Sequence, residues 1–527
     1  MAEVFGPQVW KIKRFGMTNP ARSKLHPSLS FRVAVCEAPV RGWVQWERDA
    51  PERLSVRTTL LAAAAALMVS ACEAEPEVRY DLVLDDIVIL DTRDGGLSPG
   101  RALAIQDGEI VRIAEAGALV GDTMIDGAGR YAIPGLWDSH VHATSNVEET
   151  LQRNFPLFLA HGVTQVRDMG TNIDRLTAVR AALAAEGAPA APHLISGGPL
   201  LIIAELPWYG DIQLPVPDAA AAPDAVASLD AAGVDLLKAY SGLPEDSYRA
   251  IIAEAEARGL PVDGHVPDSI GFEGVIEAGQ RTIEHLDLSA LLSCAADPEG
   301  RYAGHINVQF GEGMAAYYAL MADFYADLDW TRCGAALERH AEAGGAYTPT
   351  LVMELRDRSR VDPEAFTYMS EGGRDWCETN LAQIDDVPEA DRERAYEAVE
   401  AALRELRDRG VTLLAGTDNP NYCLVPGVSL SWEFEAMEAA GLTRLHVLQS
   451  ATLNPARIFQ TGHPGYLAET APADIVLLDA NPLEGLETLR APAGVMRSGE
   501  WFDAEALAGL RAQAAAFYAP AVDEDAP

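Results

Sequence analysis

At 527 residues, with 48% hydrophobic and 23% charged side chains, the chain is too long for one small domain and has the composition of a soluble globular enzyme with room for a large domain and a satellite. Its 79 acidic residues against 40 basic ones give a formal net charge of −39. That balance disfavours a nucleic-acid binder that works by neutralising phosphate; it describes a surface that attracts cationic substrates or, in the plainer reading, one that is heavily solvated and suited to salty surroundings.

The first predicted element is an address. Residues 57–72 read RTTLLAAAAALMVSAC, with Arg53 and Arg57 as a basic flank and Leu60 to Val69 as an apolar stretch. This is the length of a signal-peptide core and too short for a permanent transmembrane helix. Val69-Ser70-Ala71-Cys72 resembles the lipobox of bacterial lipoproteins. Residues 56–72 are therefore expected to be a lipoprotein signal peptide with the lipid carried on Cys72. Glu73 follows the cysteine, so the expected location is periplasmic, anchored to the outer membrane. A signal peptide begins near its start codon, so residues 1–55 are read as an extension upstream of a true start at Val56.

From 79 to 133 short apolar runs alternate with turns, and Asp107-Gly108 separates two of them as a hairpin turn would. This predicts a small antiparallel β unit. Similar runs return over 463–505, and the two ends are expected to pair into one small β-sandwich, followed by a C-terminal helix and acidic tail over 506–527.

Between them, residues 134–462 alternate strand-like and helical segments. The strand runs are the one ending at His140, then Gly162–Arg167, His193–Gly197, Val234–Tyr240, Leu260–His265, Arg281–Leu286, Ala346–Val352 and Val411–Thr417. Helical stretches such as Ile173–Glu186, Glu245–Arg258 and Glu389–Arg409 lie between them. This alternation predicts an α/β fold, a (β/α)8 TIM barrel. The connection 287–345 is long enough to carry extra helices over the barrel mouth. Cys294, Cys333, Cys377 and Cys423 show no CxxC pairing, and in an oxidising compartment one disulfide is expected, its partners open.

His140 and His142 stand two apart on a strand, so both side chains reach the same face and one ion. Lys238, His265, His285 and Asp418 each fall at the C-terminal end of a predicted strand, the face on which barrel active sites assemble. Lysine occurs only at Lys11, Lys13, Lys24 and Lys238, so the body of the chain keeps a single one, and it lands in a strand. Tyr240 shares that strand face and is a candidate substrate-binding residue. Arg167 and Asp168 read as a structural ion pair, and His161, His193, His305, His340, His446 and His463 as surface or capping histidines.

Pro134–His142, Gly162–Asp168, Ile283-Glu284-His285, Ala415-Gly416-Thr417-Asp418, Ala451–Ala456 and Ala473–Leu478 together resemble the amidohydrolase superfamily, most closely its imidazolonepropionase-like and Xaa-Pro dipeptidase-like members. The resemblance covers nearly everything after Tyr80. It implies two Zn2+ ions: one on His140, His142 and Asp418, the other on His265 and His285, bridged by Lys238 carboxylated on its amine. It implies attack by metal-bound hydroxide on an amide (non-ester C–N) bond of a dipeptide or N-acyl amino acid, with Asp418 as the catalytic acid–base. A mononuclear site acting on a cyclic amide is the enzymatic alternative, and a non-catalytic lipoprotein that binds metal or peptide is the other. Ser431 stands where relatives often place histidine, which loosens the inference of substrate preference from them. The expected partners are a small molecule or short peptide and the membrane, with no nucleic acid.

Overall fold

The computed structural model describes residues 78–286, 290–296, 302, 313–355 and 358–519. The extension 1–55, the signal segment 56–72 with Cys72, His305 and the acidic tail from 520 onwards lie outside the described residues. Among those described, no helix is long and apolar enough to cross a membrane.

Four strands open the chain: Arg79–Leu90 (β1), Leu97–Gln106 (β2), Glu109–Glu115 (β3) and Val120–Pro134 (β4). The Asp107-Gly108 turn has φ of 52° and 80°, the left-handed pair that a two-residue hairpin requires. Ten further strands follow: Leu136–Val141 (β5), Val163–Asp168 (β6), His193–Ser196 (β7), Leu200–Ile202 (β8), Gln213–Pro215 (β9), Leu237–Ala239 (β10), Val262–Gly264 (β11), Thr282–Glu284 (β12), Ala346–Thr348 (β13) and Thr412–Leu413 (β14). Three more close it: Ile475–Leu478 (β15), Gly494–Arg497 (β16) and Glu500–Asp503 (β17).

The two ends of the chain share one seven-stranded sheet in the order β17-β16-β15-β4-β1-β2-β3. Its register pairs Pro134 with Ile475 and Tyr131 with Leu478. Leu82, Leu84, Leu103, Ile105, Ile475, Leu477 and Met496 bury into one cluster on its face, so neither end has a complete core without the other. One expectation is corrected here. The N-terminal unit is not wholly antiparallel, because β1 and β4 run parallel. The link 116–119, pinned by the Gly117 N–H on the Asp85 carboxylate at 2.9 Å, returns the chain to the free edge of β1 in the same direction.

The middle of the chain is parallel throughout. Strands β5-β6-β7 form one sheet and β14-β13-β12-β11-β10-β8-β9 another. Such strands are buried on both faces, which is why every residue of β5, β6, β10, β11, β12 and β13 is buried. Backbone bonds also link the two sheets. Asp235 N–H donates to Ser196 O at 2.9 Å, Ser139 N–H to Ala415 O at 2.9 Å, and His142 N–H to Asn419 O at 2.8 Å. The strands are shorter than the predicted runs, although backbone bonds continue past their ends: His265 N–H donates to Ala239 O at 3.0 Å and His285 N–H to Thr348 O at 2.8 Å. Helices Ile173–Leu183, Glu245–Arg258 and Glu389–Asp408 follow the expected segments closely, and the long connection after β12 carries helices Met314–Ala326 and Trp330–Glu342.

Two disulfides stand where one was expected: Cys294–Cys333 within that connection, and Cys377–Cys423, which ties helix Glu371–Asp385 to the turn after Asp418.

Candidate metal centre

His140 sits on β5, and His142 just past its end. Lys238 is on β10, while His265, His285 and Asp418 follow β11, β12 and β14. Two of them hold backbone that non-glycine residues rarely adopt: φ is 64° at His285 and 60° at Asp418. Strain of this kind persists only where surrounding structure enforces it, and here it aims both side chains. Glycine makes the close approach of strands feasible. A Cβ on Gly416 would lie 2.6 Å from Thr348 Cγ2 and 2.9 Å from His140 Cβ.

His140, His142 and Asp418 offer ligand atoms that all lie within 4.8 Å of one another, a set able to hold a metal ion. Their hydrogen bonds say which atoms are offered. His140 Nδ1 donates to Glu284 Oε2 at 2.7 Å, and His142 Nδ1 to Gly170 O at 3.2 Å. A carboxylate and a carbonyl can only accept, so both protons sit on Nδ1 and both Nε2 atoms present lone pairs. Those lone pairs face Asp418 Oδ1, at 3.4 Å from His140 and 3.0 Å from His142. Three electron-rich atoms converging on one point repel unless a cation lies among them. His140 Nε2 and Asp418 Oδ1 accordingly have no hydrogen-bond partner although buried, and neither has Lys238 Nζ. The donor set fits a divalent cation.

The remaining histidines adjoin this set. The His285 ring lies 4.6 Å from that of His140 and 4.8 Å from that of His265. Their Nδ1 atoms are tied off as well, His265 to Ser241 Oγ at 2.8 Å and His285 to Thr350 Oγ1 at 2.8 Å. All four rings are thus oriented by partners behind them, the usual arrangement around metal ligands. Asn421 Nδ2 donates to Asp418 Oδ2 at 2.9 Å, leaving Oδ1 for the histidine pair.

Electrostatics follow from burial. Desolvation and then Lys238 hold the His140 and His265 rings neutral, well below the ordinary imidazole value. Burial also opposes ionisation of Asp418, but His140, His142 and His285 outweigh it and keep its carboxyl below the usual range. Asp418 raises His142 against the burial that opposes its charge. Burial lowers the Lys238 ammonium to about 8, against the pull of Glu284 and Asp418. An amine so placed is readily deprotonated, the state from which lysine becomes a nucleophile.

Of the six ligand candidates, His140, His142 and Asp418 come together as one set, the His285 and His265 rings adjoin it, Lys238 is buried on β10, and the Tyr240 ring lies 4.2 Å from that of His265. The Arg167–Asp168 ion pair does not form. Arg167, fully buried, spans the floor of the site to Asp263 Oδ2 at 2.9 Å and Glu284 Oε2 at 2.8 Å, while Asp168 accepts from Thr144 N–H at 2.9 Å and Oγ1 at 2.8 Å. On a strand, neighbours point to opposite faces, so adjacent Arg167 and Asp168 serve different layers. The surface histidines are also corrected in part. His340 is buried with Nε2 3.3 Å from Ala346 O, and His193 lies on β7 facing His463, their rings 6.0 Å apart. Ser431 bonds Val428 O at 2.8 Å on its own helix and takes no part in the metal set. Glu284, Ser241, Thr350 and Asn421 escaped the sequence reading. Glu284 left a signal: a carboxylate inside a strand buried on both faces needs a charged partner.

Residues 131–502 match the Amidohydrolase family, and the chain belongs to that family. An adenine deaminase of Rubrobacter xylanophilus is 23% identical over 434 residues, 80% of this chain, and the chain spans only 58% of that relative's length. Among solved structures, a bottromycin amidohydrolase superposes with a TM-score of 0.63 at 23% identity, covering 82% of this chain and 89% of the other. A putative prolidase from Bifidobacterium longum gives 0.57 at 21% identity, covering 82% and 99%.

Proposed function

We propose that the chain is a metal-dependent hydrolase of an amide C–N bond, acting on a dipeptide or N-acyl amino acid from a (β/α)8 barrel with a small β-sandwich built from both chain ends. The observation that carries this reading is a set of unpartnered buried atoms, His140 Nε2 and Asp418 Oδ1 lying 3.4 Å apart and Lys238 Nζ equally without a partner on β10. His140, His142 and Asp418 would hold one Zn2+, and His265 and His285 a second, with Lys238 between them after its neutral amine adds to carbon dioxide and releases a proton. Bound zinc supplies a Lewis acid for the carbonyl and makes water acidic enough to deprotonate near neutral pH. Asp418 takes the proton from water and returns it to the departing amine, and Asn421 fixes which oxygen does so. Glu284 holds His140 in the ligating tautomer, itself kept ionised by Arg167 and Lys238 against its burial. A prolidase structure solved with N-methylphosphonate-L-proline, at TM-score 0.55 and 22% identity, is among the similar folds. We place the chain in the periplasm on a lipid at Cys72. The sequence of 57–72 supports this, as do two disulfides, which persist in oxidising compartments.

A second reading has its own support. Only three ligands lie within 4.8 Å among the described residues, as a mononuclear site acting on a cyclic substrate would have, and a curated relative is a deaminase. Metal content by mass spectrometry on the wild type and Lys238→Ala separates the two. Two ions falling to one or none supports the bridged pair and turnover of acyl-amino acids. One ion in both proteins supports the mononuclear reading.

A further inference from the structure

We infer that Tyr209 is a positioning residue whose hydroxyl fixes Tyr240 against His265, an inference that rests on reading Tyr240 as a substrate-facing residue. Tyr240 leaves β10 two residues after Lys238, its N–H donating to Leu201 O at 3.1 Å. Its ring covers His265 with the planes 31° apart, so it forms a wall of the site. A phenol on that wall has two torsions to fix, and His265 offers its ring a face but its hydroxyl no partner. That partner is Tyr209. Tyr240 Oη donates to Tyr209 Oη at 2.5 Å, and the rings meet edge-on, 5.2 Å apart at 75°. Edge-on packing and a short hydroxyl contact together fix both torsions of Tyr240.

The link that delivers Tyr209 is built to hold still. Tyr209 ends a single 3-10 turn, Pro207–Tyr209, between β8 and β9. Gln213 on β9 accepts from Leu206 N–H at 2.7 Å and donates to Leu206 O at 2.9 Å and Gly210 O at 2.8 Å, clasping the turn at both ends. Arg175 then grips Asp211 through both carboxylate oxygens at 2.7 Å, and Asn172 donates to Asp211 O at 3.2 Å. One rigid turn therefore presents one phenol at one place. Residues of the β8–β9 link thereby shape a site whose ligands all lie on other elements.

The test uses the mature zinc-loaded enzyme, Tyr209→Phe, Tyr240→Phe and the double variant, assayed on the glycyl- or N-acetyl-amino acid that wild type turns over fastest. Phenylalanine keeps the packing of either ring, so folding is spared. Tyr209→Phe is expected to raise KM about tenfold with kcat and metal content little changed, since one hydrogen bond is lost. The double variant should be no worse than Tyr240→Phe, because Tyr209 acts through Tyr240. A silent Tyr209→Phe beside an impaired Tyr240→Phe overturns the inference, as do additive losses. A silent Tyr240→Phe instead overturns the reading of Tyr240 beneath it. A crystal structure of Tyr209→Phe gives an answer without substrate: the Tyr240 ring should leave His265, and a ring still stacked there overturns the inference.

Discussion

Asp418 concentrates three constraints in one side chain: a left-handed backbone, an oxygen held by Asn421 and another held between two imidazoles. Asp418→Asn preserves the shape and removes the proton acceptor, so kcat should fall roughly 10²–10⁴-fold while the histidines retain metal. Metal analysis beside steady-state kinetics checks this, and unchanged turnover would remove Asp418 from the role. Glu284→Gln leaves His140 without its charged partner and should weaken metal affinity roughly 10–100-fold, read by competition with a chromophoric chelator. Glu433, fully buried on helix Val428–Ala439, accepts the Val352 N–H at 2.9 Å at Oε2, and burial outweighs the backbone donors of Val352 and Leu351 and raises it from 4.5 to about 8. Between those two values the folded chain holds a proton that the unfolded chain has lost, so stability falls as pH rises through this window. Melting temperatures at pH 6 and 8.5 should show a smaller drop for Glu433→Gln than for wild type. At this scale the His140, His142 and Asp418 set was legible because strand-end positions and residue types coincided. Glu284, Ser241 and Thr350 were not, because their roles depend on which strands and loops become neighbours, and no spacing within one element encodes that.

Elements were legible where periodicity is local. Helix Glu245–Arg258 coincides with its predicted span, its end marked by Gly259 at φ 76°. Strand lengths and cross-strand partners were less so. Nothing in Arg167 itself shows that it will bridge β6 to Asp263 on β11 and Glu284 on β12. Removing it takes the guanidinium from Glu284 and leaves Asp263 with Arg281 alone, and Arg167→Met should cost about 3–5 kcal/mol in denaturant unfolding. The turn after Asp418 is held covalently as well. The Cys377–Cys423 bond closes a loop of separation 46, which in the chain-entropy account is worth roughly 4 kcal/mol. Tyr422 stacks on Trp376 beside it, centroids 5.2 Å apart and planes 9° apart. Replacing both cysteines by alanine should therefore lower stability by about that amount and also lower kcat, whereas the Cys294–Cys333 pair should affect stability alone.

For the whole molecule, a formal charge of −39 makes compaction work against self-repulsion. Melting temperature should rise between low salt and 1 M KCl, and a flat response would assign the charge to solvation only. The α/β class was readable from the alternation of strand and helix patterns, and the need of both chain ends for each other from their incomplete strand sets. The parallel β1–β4 pairing was not readable, since direction depends on the path of a short link rather than on side-chain pattern.

The seven-stranded sheet also imposes an order in time. β4 finds its partner β15 only after the whole intervening α/β region has been made, on the order of tens of seconds at ordinary elongation rates. Until then β1 to β4 expose an unpaired edge and half a core. A nascent chain built this way cannot complete its first sheet until β15 has been made, so its N-terminal strands wait through the synthesis of the entire α/β region.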